Sequence, residues 1–384
     1  MGTGTNPCEN GIASYAPIGS PVTAVAAAAR ISFAVKNDGT LWAWGTSSKG
    51  QLGAGAITSS AKPIRIGEGY TAVSASFGHS LGLKSDGTLW AWGDNTFGQL
   101  GNNSTTSSNV PIHIGDNSDT YKAIAAGLNF SLAIKSDGTL WAWGDNSFKQ
   151  LGIGDNNIKF SSVPIQVGSD NSYIAISAGT GHALALKTDH SLWAWGYNYY
   201  GELGNDSTTD SNVPVQIDSG ATYGAIASGY FYSLAVRLDG SLMAWGNNTQ
   251  GKPANPVVTD HVPTKIADGF SSKTESLSAS KFSVLGNTTV YYHSLALKKD
   301  GGLWAWGDNI FGQLGDNNPP TPSPAPEQIV ADSGYAFTTV SAGDNDHSLA
   351  IKNDGSLWAW GSNSCGQLGD GTLNARFEPR KISR

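Results

Sequence analysis

One pentad occurs seven times in this chain, and any fold proposed for it has to accommodate that period. Leu-Trp-Ala-Trp-Gly stands at 41–45, 89–93, 140–144, 192–196, 303–307 and 357–361. A seventh copy, Leu242-Met243-Ala244-Trp245-Gly246, exchanges the first Trp for Met. All 13 Trp of the chain lie in these copies, so the pentad holds every indole available for packing. Successive second tryptophans are 48, 51, 52, 50, 61 and 54 residues apart. A unit of that size recurring seven times is a repeat architecture, in which no unit buries its apolar surface alone.

The pentad also dictates local structure. Alternate residues of a strand face opposite sides, so Trp141 and Trp143 share one face and Leu140, Ala142 and Gly144 the other. A strand with one wet face would alternate with polar residues, and this one does not. It belongs to a small sheet pressed between two like sheets, with the tryptophans as the mortar between them. Around it the third copy reads as four strands: A from Tyr121 to Gly127, B from Phe130 to Lys135, C from Thr139 to Gly144 and D from Val163 to Val167. Asp137-Gly138 is the B–C hairpin turn. Strand A is built from small residues, as in Ala72-Val73-Ser74-Ala75, which suits strands converging on an axis. Strand D carries Pro63, Pro111, Pro164, Pro214, Pro263, Pro326 or Pro379. Proline has no N–H to donate, so D is the outer edge and resists edge-to-edge pairing.

The expected fold class is therefore all-β, a seven-bladed β-propeller with four antiparallel strands per blade. A linear solenoid would need atypical polar end repeats, and the first and last copies look like the middle ones. The blades are expected at 22–67, 71–115, 121–168, 173–217, 223–267, 274–330 and 335–384. Residues 1–21 are surplus to this count and are expected to lie along blade 7 as a latch. Cys8 and Cys365 stand near the two ends. A Cys8–Cys365 disulfide would tie the ring shut and, in the entropic model, stabilise it by up to ~5 kcal/mol; two unrelated free thiols are the alternative.

The recurrent string Trp-Gly-Asp-Asn-x-Phe-Gly-Gln-Leu-Gly stands at 92–101 and 306–315. A second element appears as Gly78-His79-Ser80-Leu81, Gly181-His182-Ala183-Leu184 and His347-Ser348-Leu349. With both, the chain resembles the regulator of chromosome condensation repeat family in its bacterial-type form, over roughly residues 22–384. The resemblance implies the seven-bladed fold. The family's eukaryotic founder is a nucleotide exchange factor on a nuclear GTPase and binds chromatin. A similar secreted bacterial protein inhibits a β-lactamase through loops on one propeller face, and that precedent suits this chain better. It implies an extracellular, periplasmic or cell-surface location in a bacterium.

Charge supports the choice. The net charge is -7, with no run of Lys or Arg, whereas nucleic-acid affinity comes mainly from basic residues on phosphates. No stretch reaches the ~20 apolar residues of a membrane helix, and residues 1–4 show no signal-peptide pattern.

No catalytic constellation emerges. His79, His182, His293 and His347 share one repeat position with Ile31, Phe130 and Tyr232, so packing or turn support is expected there. Adjacent His and Ser on a strand point to opposite faces and form no nucleophile pair. Asp38, Asp86, Asp137, Asp239, Asp300 and Asp354 are turn formers. Asp344-Asn345-Asp346 alternates oxygen ligands as Ca²⁺ sites do, but the rest of such a loop is missing. The chain is expected to be no enzyme, with no metal and no cofactor.

An A-B-C-D strand order puts the A–B and C–D loops on one face, where nearly all variation between repeats lies. The expected contact residues are Phe77, Tyr197, Tyr199, Tyr230, Phe231, Phe282, Tyr291, Tyr292, Asp344 and Asp346, since interfaces favour exposed aromatics. Phe97, Phe148, Tyr200 and Phe311 share one repeated slot and are expected to pack between blades. The resulting expectation is a monomeric, non-catalytic scaffold that engages an unidentified protein through this face. A glycan-binding module is the alternative, and an exchange-factor-like regulator the distant one. Blades 5 to 7 depart most from the repeat, with Gly251-Lys252-Pro253 replacing Gly-Gln-Leu-Gly and an insertion at 281–292, so the site is sought there.

Overall fold

Each pentad is the third strand of a four-stranded antiparallel sheet, hydrogen-bonded in the order A-B-C-D. The computed structural model describes residues 18–19, 21–116, 118–247, 260–281, 292–329, 336–344 and 347–382. Within them seven such sheets follow one another at 22–67, 70–114, 121–166, 173–217, 223–267, 277–328 and 337–381. Each strand A touches strand A of both neighbouring sheets, and the first sheet touches the seventh. The sheets thus close into a seven-bladed propeller, with the small strand A innermost and the proline-bearing strand D at the rim. One 3-10 turn, Thr274–Ser276, interrupts the β pattern among the described residues. No helix among them is long and apolar enough to cross a membrane.

The pentad's glycine is a geometric requirement. Its φ is positive in all seven copies, from 91° at Gly246 to 106° at Gly307. A Cβ on Gly45, Gly93 or Gly196 would stand 2.0, 2.4 or 2.4 Å from a carbonyl oxygen of the A–B loop. No L side chain fits both constraints.

The two tryptophans of the pentad do different work. The second (Trp44, Trp92, Trp143, Trp195, Trp245, Trp306, Trp360) is fully buried in the seam with the preceding blade. In six seams its Nε1 donates to one carbonyl of the preceding C–D loop. Trp143 to Gln99 (2.9 Å), Trp195 to Gln150 (3.0 Å) and Trp245 to Glu202 (2.8 Å) are examples. The last glycine of Gly-Gln-Leu-Gly makes room for that indole: a Cβ on Gly101 would stand 2.8 Å from Trp143 Nε1. Pentad and Gly-Gln-Leu-Gly string are the two halves of one joint between blades.

The first tryptophan corrects the expectation that all of them are mortar. It is half-buried and braced within its own blade. Lys84, Lys135, Lys187, Lys298 and Lys352 lie 4.2, 4.0, 3.5, 3.9 and 3.9 Å from the rings of Trp90, Trp141, Trp193, Trp304 and Trp358. In five blades its Nε1 donates to the Thr or Ser after the hairpin turn, as Trp141 does to Thr139 at 2.9 Å. Where Met243 replaces the ring, Arg237 replaces the lysine and pairs with Asp218, as Lys135 and Lys187 pair with Asp119 and Asp170.

Blade 7 meets blade 1 by the same joint, Trp44 Nε1 donating to Gln367 O at 2.8 Å. Val22 N adds a bond to Gly355 O at 2.8 Å. Ile18 is buried in this seam beside Leu349, Ile351 and Trp44. The rest of the expected latch, residues 1–17 and 20, lies outside the described residues, and so does Cys8.

Candidate partner-binding face

The repeated histidines are spent inside the scaffold. Nε2 of His79, His182, His293 and His347 meets Oγ of Ser131, Ser233, Ser348 and Ser32 in the following blade, at 2.8, 2.9, 2.8 and 2.8 Å. Each of these hydroxyls gives its own proton to the C–D carbonyl that also receives the indole, as Ser131 does to Gln99 at 2.8 Å. The serine therefore accepts from Nε2–H, which leaves every Nδ1 bare and buried. Burial pushes all four imidazoles down to about 3, so they are neutral structural donors. Tyr232 plays the same part toward Ser294, at 2.9 Å. In the one seam where the serine is Ala183, the preceding blade supplies Phe130, and the two pack in one core.

Over the axis, the A–B loops of blades 4, 6 and 7 and the end of strand A in blade 3 converge on Lys281. Its N–H donates to Asp344 Oδ1 at 2.8 Å and its Nζ to Ala126 O at 2.6 Å, while the Thr180 hydroxyl donates to its carbonyl. Asp344 is buried, and burial, opposed by Lys281, raises its carboxyl to about 6. The aspartate expected at a partner surface is a core group instead, held by Lys281. Asn345 and Asp346 lie outside the described residues.

The aromatic residues of the same face form one ridge. Phe148 comes from the C–D loop of blade 3, Tyr197, Tyr199 and Tyr200 from that of blade 4, and Tyr230 and Phe231 from the A–B loop of blade 5. Ring centroids stand 5.1 Å apart for Phe148–Tyr197, 5.7 Å for Tyr197–Phe231 and 5.1 Å for Tyr200–Phe231. Tyr199–Tyr200 and Tyr230–Phe231 follow at 4.9 and 3.9 Å. Tyr199 is 66% exposed and Phe148 47%, making them the crests; the other four are half-buried.

The ridge gathers Tyr197, Tyr199, Tyr230 and Phe231 of the expected contact set. Phe77 is a further exposed ring, on blade 2. Tyr292 is corrected: only 4% exposed, it lies between Tyr230 and Tyr232, 5.7 Å from each, and supports the ridge from below. Phe97 and Phe148 are corrected too, because their shared slot leaves them 37% and 47% exposed. Phe282, Tyr291 and Gly251-Lys252-Pro253 lie outside the described residues. The ridge spans blades 3 to 5 and so meets the region where the insertions lie, blades 5 to 7, only at blade 5. Two open grooves lie on the opposite face, one between blades 1 and 2 lined by Lys36, Asp38 and Tyr70, one between blades 4 and 5 lined by Asp218, Arg237 and Asp239.

An RCC1-like domain model matches residues 2–291, and the regulator of chromosome condensation (RCC1) repeat matches residues 300–351 and 354–384. The ultraviolet-B receptor UVR8 of Arabidopsis thaliana is 30% identical over 264 residues, 68% of this chain and 57% of that protein. The probable E3 ubiquitin-protein ligase HERC6 of Homo sapiens is 31% identical over 264 residues, which make up 20% of its length. The chain thus spans less than two thirds of either relative. Among solved structures, human WBSCR16 superposes with a TM-score of 0.74 at 20% identity, covering 90% of this chain and 94% of that one. Prp20p of Saccharomyces cerevisiae, studied with its binding to Gsp1p and histones, gives 0.72 at 23% identity, covering 91% and 87%. At such identities the likeness is one of fold.

Proposed function

The chain belongs to the RCC1-like repeat family, and from that premise we propose that it is a non-catalytic scaffold whose ridge on blades 3 to 5 docks a protein partner. What carries the reading is the continuity of the ridge: six rings from three blades in unbroken contact, with Tyr199 and Phe148 standing into solvent. Exposed tyrosines and phenylalanines of this kind supply most of the energy at protein interfaces. The rings form one continuous patch across three blades in place of small, similar pockets repeated between blades, so the protein reading is preferred to the glycan one. Protein partners are also on record for a structural relative, yeast RCC1 (Prp20) bound to Kap60.

The proposal includes a setting outside the cytoplasm and a Cys8–Cys365 disulfide. Cys365 is buried, and no free cysteine occurs among the described residues; disulfides persist in oxidising compartments. Peptide mapping without reduction should recover the two cysteines in one linked fragment, and two separate thiol peptides would end this part. The relatives named above are eukaryotic, so the family assignment rests on the repeat and not on a bacterial branch.

A photo-crosslinker at position 199 should capture the same partner from native extract that wild type retains on a column. Tyr199→Ala with Phe231→Ala should weaken that partner by at least tenfold, since truncating a hot-spot residue costs about 2 kcal/mol or more. Undiminished binding by this variant would refute the ridge as the docking face.

A further inference from the structure

We infer that the ridge receives a basic side chain, arginine or lysine, from its partner, above Glu202 in the C–D loop of blade 4. The inference rests on the ridge being the docking face.

Five described C–D loops carry glutamine where blade 4 has Glu202: Gln51, Gln99, Gln150, Gln313 and Gln367. Each accepts, through Oε1, the backbone N–H two residues earlier, at 2.8–2.9 Å. Glu202 reproduces this with Tyr200 N at 2.8 Å. The difference lies in the other atom. Gln150 and Gln313 donate through Nε2 to Asp145 and Asp308, at 2.9 and 2.8 Å. Gln367 and Gln51 donate to Ser362 Oγ and Phe77 O, at 3.2 and 3.3 Å. In blade 4 the aspartate's place is taken by Tyr197, and Glu202 Oε1 is buried without a hydrogen-bond partner. Gln99 Nε2 is likewise unpartnered, but Gln99 is the common residue of the repeat and carries no charge. Blade 4 has exchanged an aspartate–glutamine pair for a tyrosine–glutamate pair.

That exchange adds a ring to the ridge and puts an unsatisfied carboxyl beneath it, at a cost in desolvation. The joint between blades does not require it, because five glutamines make the same joint. The loop also carries Asp206 and Asp210 and no Lys or Arg. Among the described residues no cation is bonded to Glu202, and the nearest titratable ring of strand D in blade 5, His261, lies against the adjacent Gly201. Tyr197, Tyr200 and Asp210 belong to its own loop; Ser233 and Trp245 of blade 5 bind its carbonyl; His182, bonded to Ser233, is buried and neutral. Lys149 gives its ammonium to the Asp210 carbonyl, at 3.5 Å. Aromatic faces over an unpaired acid attract a cation from outside. Burial pushes the Glu202 carboxyl up to about 8, so the free protein holds it protonated near neutrality. A guanidinium or ammonium arriving above it favours the carboxylate, and the proton leaves to solvent. A basic partner therefore binds more tightly as pH rises.

The test uses the full chain and a fluorescein-labelled tetra-arginine peptide with its citrulline counterpart, followed by anisotropy. Wild type should bind the arginine peptide about tenfold more tightly at about pH 8.5 than at about pH 6, one tenfold step per unit of linked pKa change. It should leave the citrulline peptide unbound. E202Q restores the residue of five other blades, so it should fold, and its affinity should change less than about twofold between the same pH values. Equal pH dependence in wild type and E202Q would overturn the inference, as would equal binding of the two peptides. If Tyr199→Ala with Phe231→Ala loses the arginine peptide while E202Q keeps the wild-type pH response, Glu202 is refuted and the docking face stands. If that double variant keeps the arginine peptide, the cation does not sit on the ridge and the inference falls, whatever the crosslinked partner does.

Discussion

The seam between blades 7 and 1 can be rewritten in the terms of the seam between blades 3 and 4. Ser32 Oγ accepts from His347 Nε2 at 2.8 Å and donates to Gln367 O at 2.7 Å, all buried. Ser32→Ala removes both bonds. The Gln367 carbonyl keeps the Trp44 indole at 2.8 Å, but the imidazole N–H is left buried without a partner. An orphaned buried donor costs ~1–3 kcal/mol, so about 2 kcal/mol of destabilisation is expected. His347→Phe alone leaves Ser32 its bond to Gln367 and should cost about 1 kcal/mol, the net value of one hydrogen bond. The double variant copies Phe130 and Ala183, a pair the chain already uses, in a seam whose Gln150 carbonyl still receives Trp195 at 3.0 Å. It should cost no more than about 1 kcal/mol, which gives a coupling of about 2 kcal/mol, at the upper end of what contacting pairs show. Urea midpoints of the four proteins at neutral pH, where the imidazole is uncharged, measure it. Additivity within ~0.5 kcal/mol would refute the His–Ser bond as part of the joint.

Acid should loosen the propeller well above the carboxylate range. Four histidines held down to about 3 take up protons only on unfolding, so their contribution is complete above their unfolded value and falls as pH drops through it. Lys281 adds to the depression of His79 and Asp94 opposes it, while His347 adds to that of His293. Glu202 and Asp344, raised to about 8 and about 6, are protonated in the fold and oppose two of the four. The net of two protons gives a loss of about 3 kcal/mol per pH unit between about pH 6 and about pH 4.5, readable as falling urea midpoints; a flat profile would mean that the rings titrate in the fold. Gly101→Ala should cost about 2–3 kcal/mol, because its Cβ meets Trp143 at 2.8 Å on a backbone of φ 80°. Gly168→Ala, with φ 63° and nothing within 4 Å, should cost only the ~1 kcal/mol of backbone strain. Equal midpoints for the two variants would show that the indole is not seated against Gly101.

The pentad made blade number, strand order and edge strand legible, because a small period repeated seven times leaves little freedom. The joints were written in the sequence but not readable from one repeat. Gly-Gln-Leu-Gly looks like a loop signature until the next blade's indole is placed against it. His and Ser adjacent in sequence point apart; the bond runs from the His of one blade to the Ser of the next. Reading the His column against the following Ser column would have found it, since the one alanine, Ala183, follows the one phenylalanine, Phe130. Burial was not legible in the same way. Tyr292 and Tyr199 are both tyrosines in irregular loops, yet one lies under the ridge and the other crests it, a difference set by neighbouring blades. The same column reading would have exposed Glu202 as the single acid among glutamines.

Departures from the repeat therefore divide by whether the chain compensates them. Phe130 with Ala183 replaces a hydrogen bond by a packed contact. Met243 loses a ring but stays buried in the core beside Trp245, and Arg237 keeps the aspartate pairing that Lys135 and Lys187 also make. Both leave their blades satisfied, so folding alone accounts for them. Tyr197 with Glu202 does not: it strands a buried carboxyl oxygen and puts a third ring in one C–D loop, where those of blades 2 and 3 carry one each, Phe97 and Phe148. A scaffold that makes the same joint five times with glutamine gains no stability from that substitution. Uncompensated local cost is what functional sites show, and it falls at the centre of the ridge, where the pH response of E202Q will decide it.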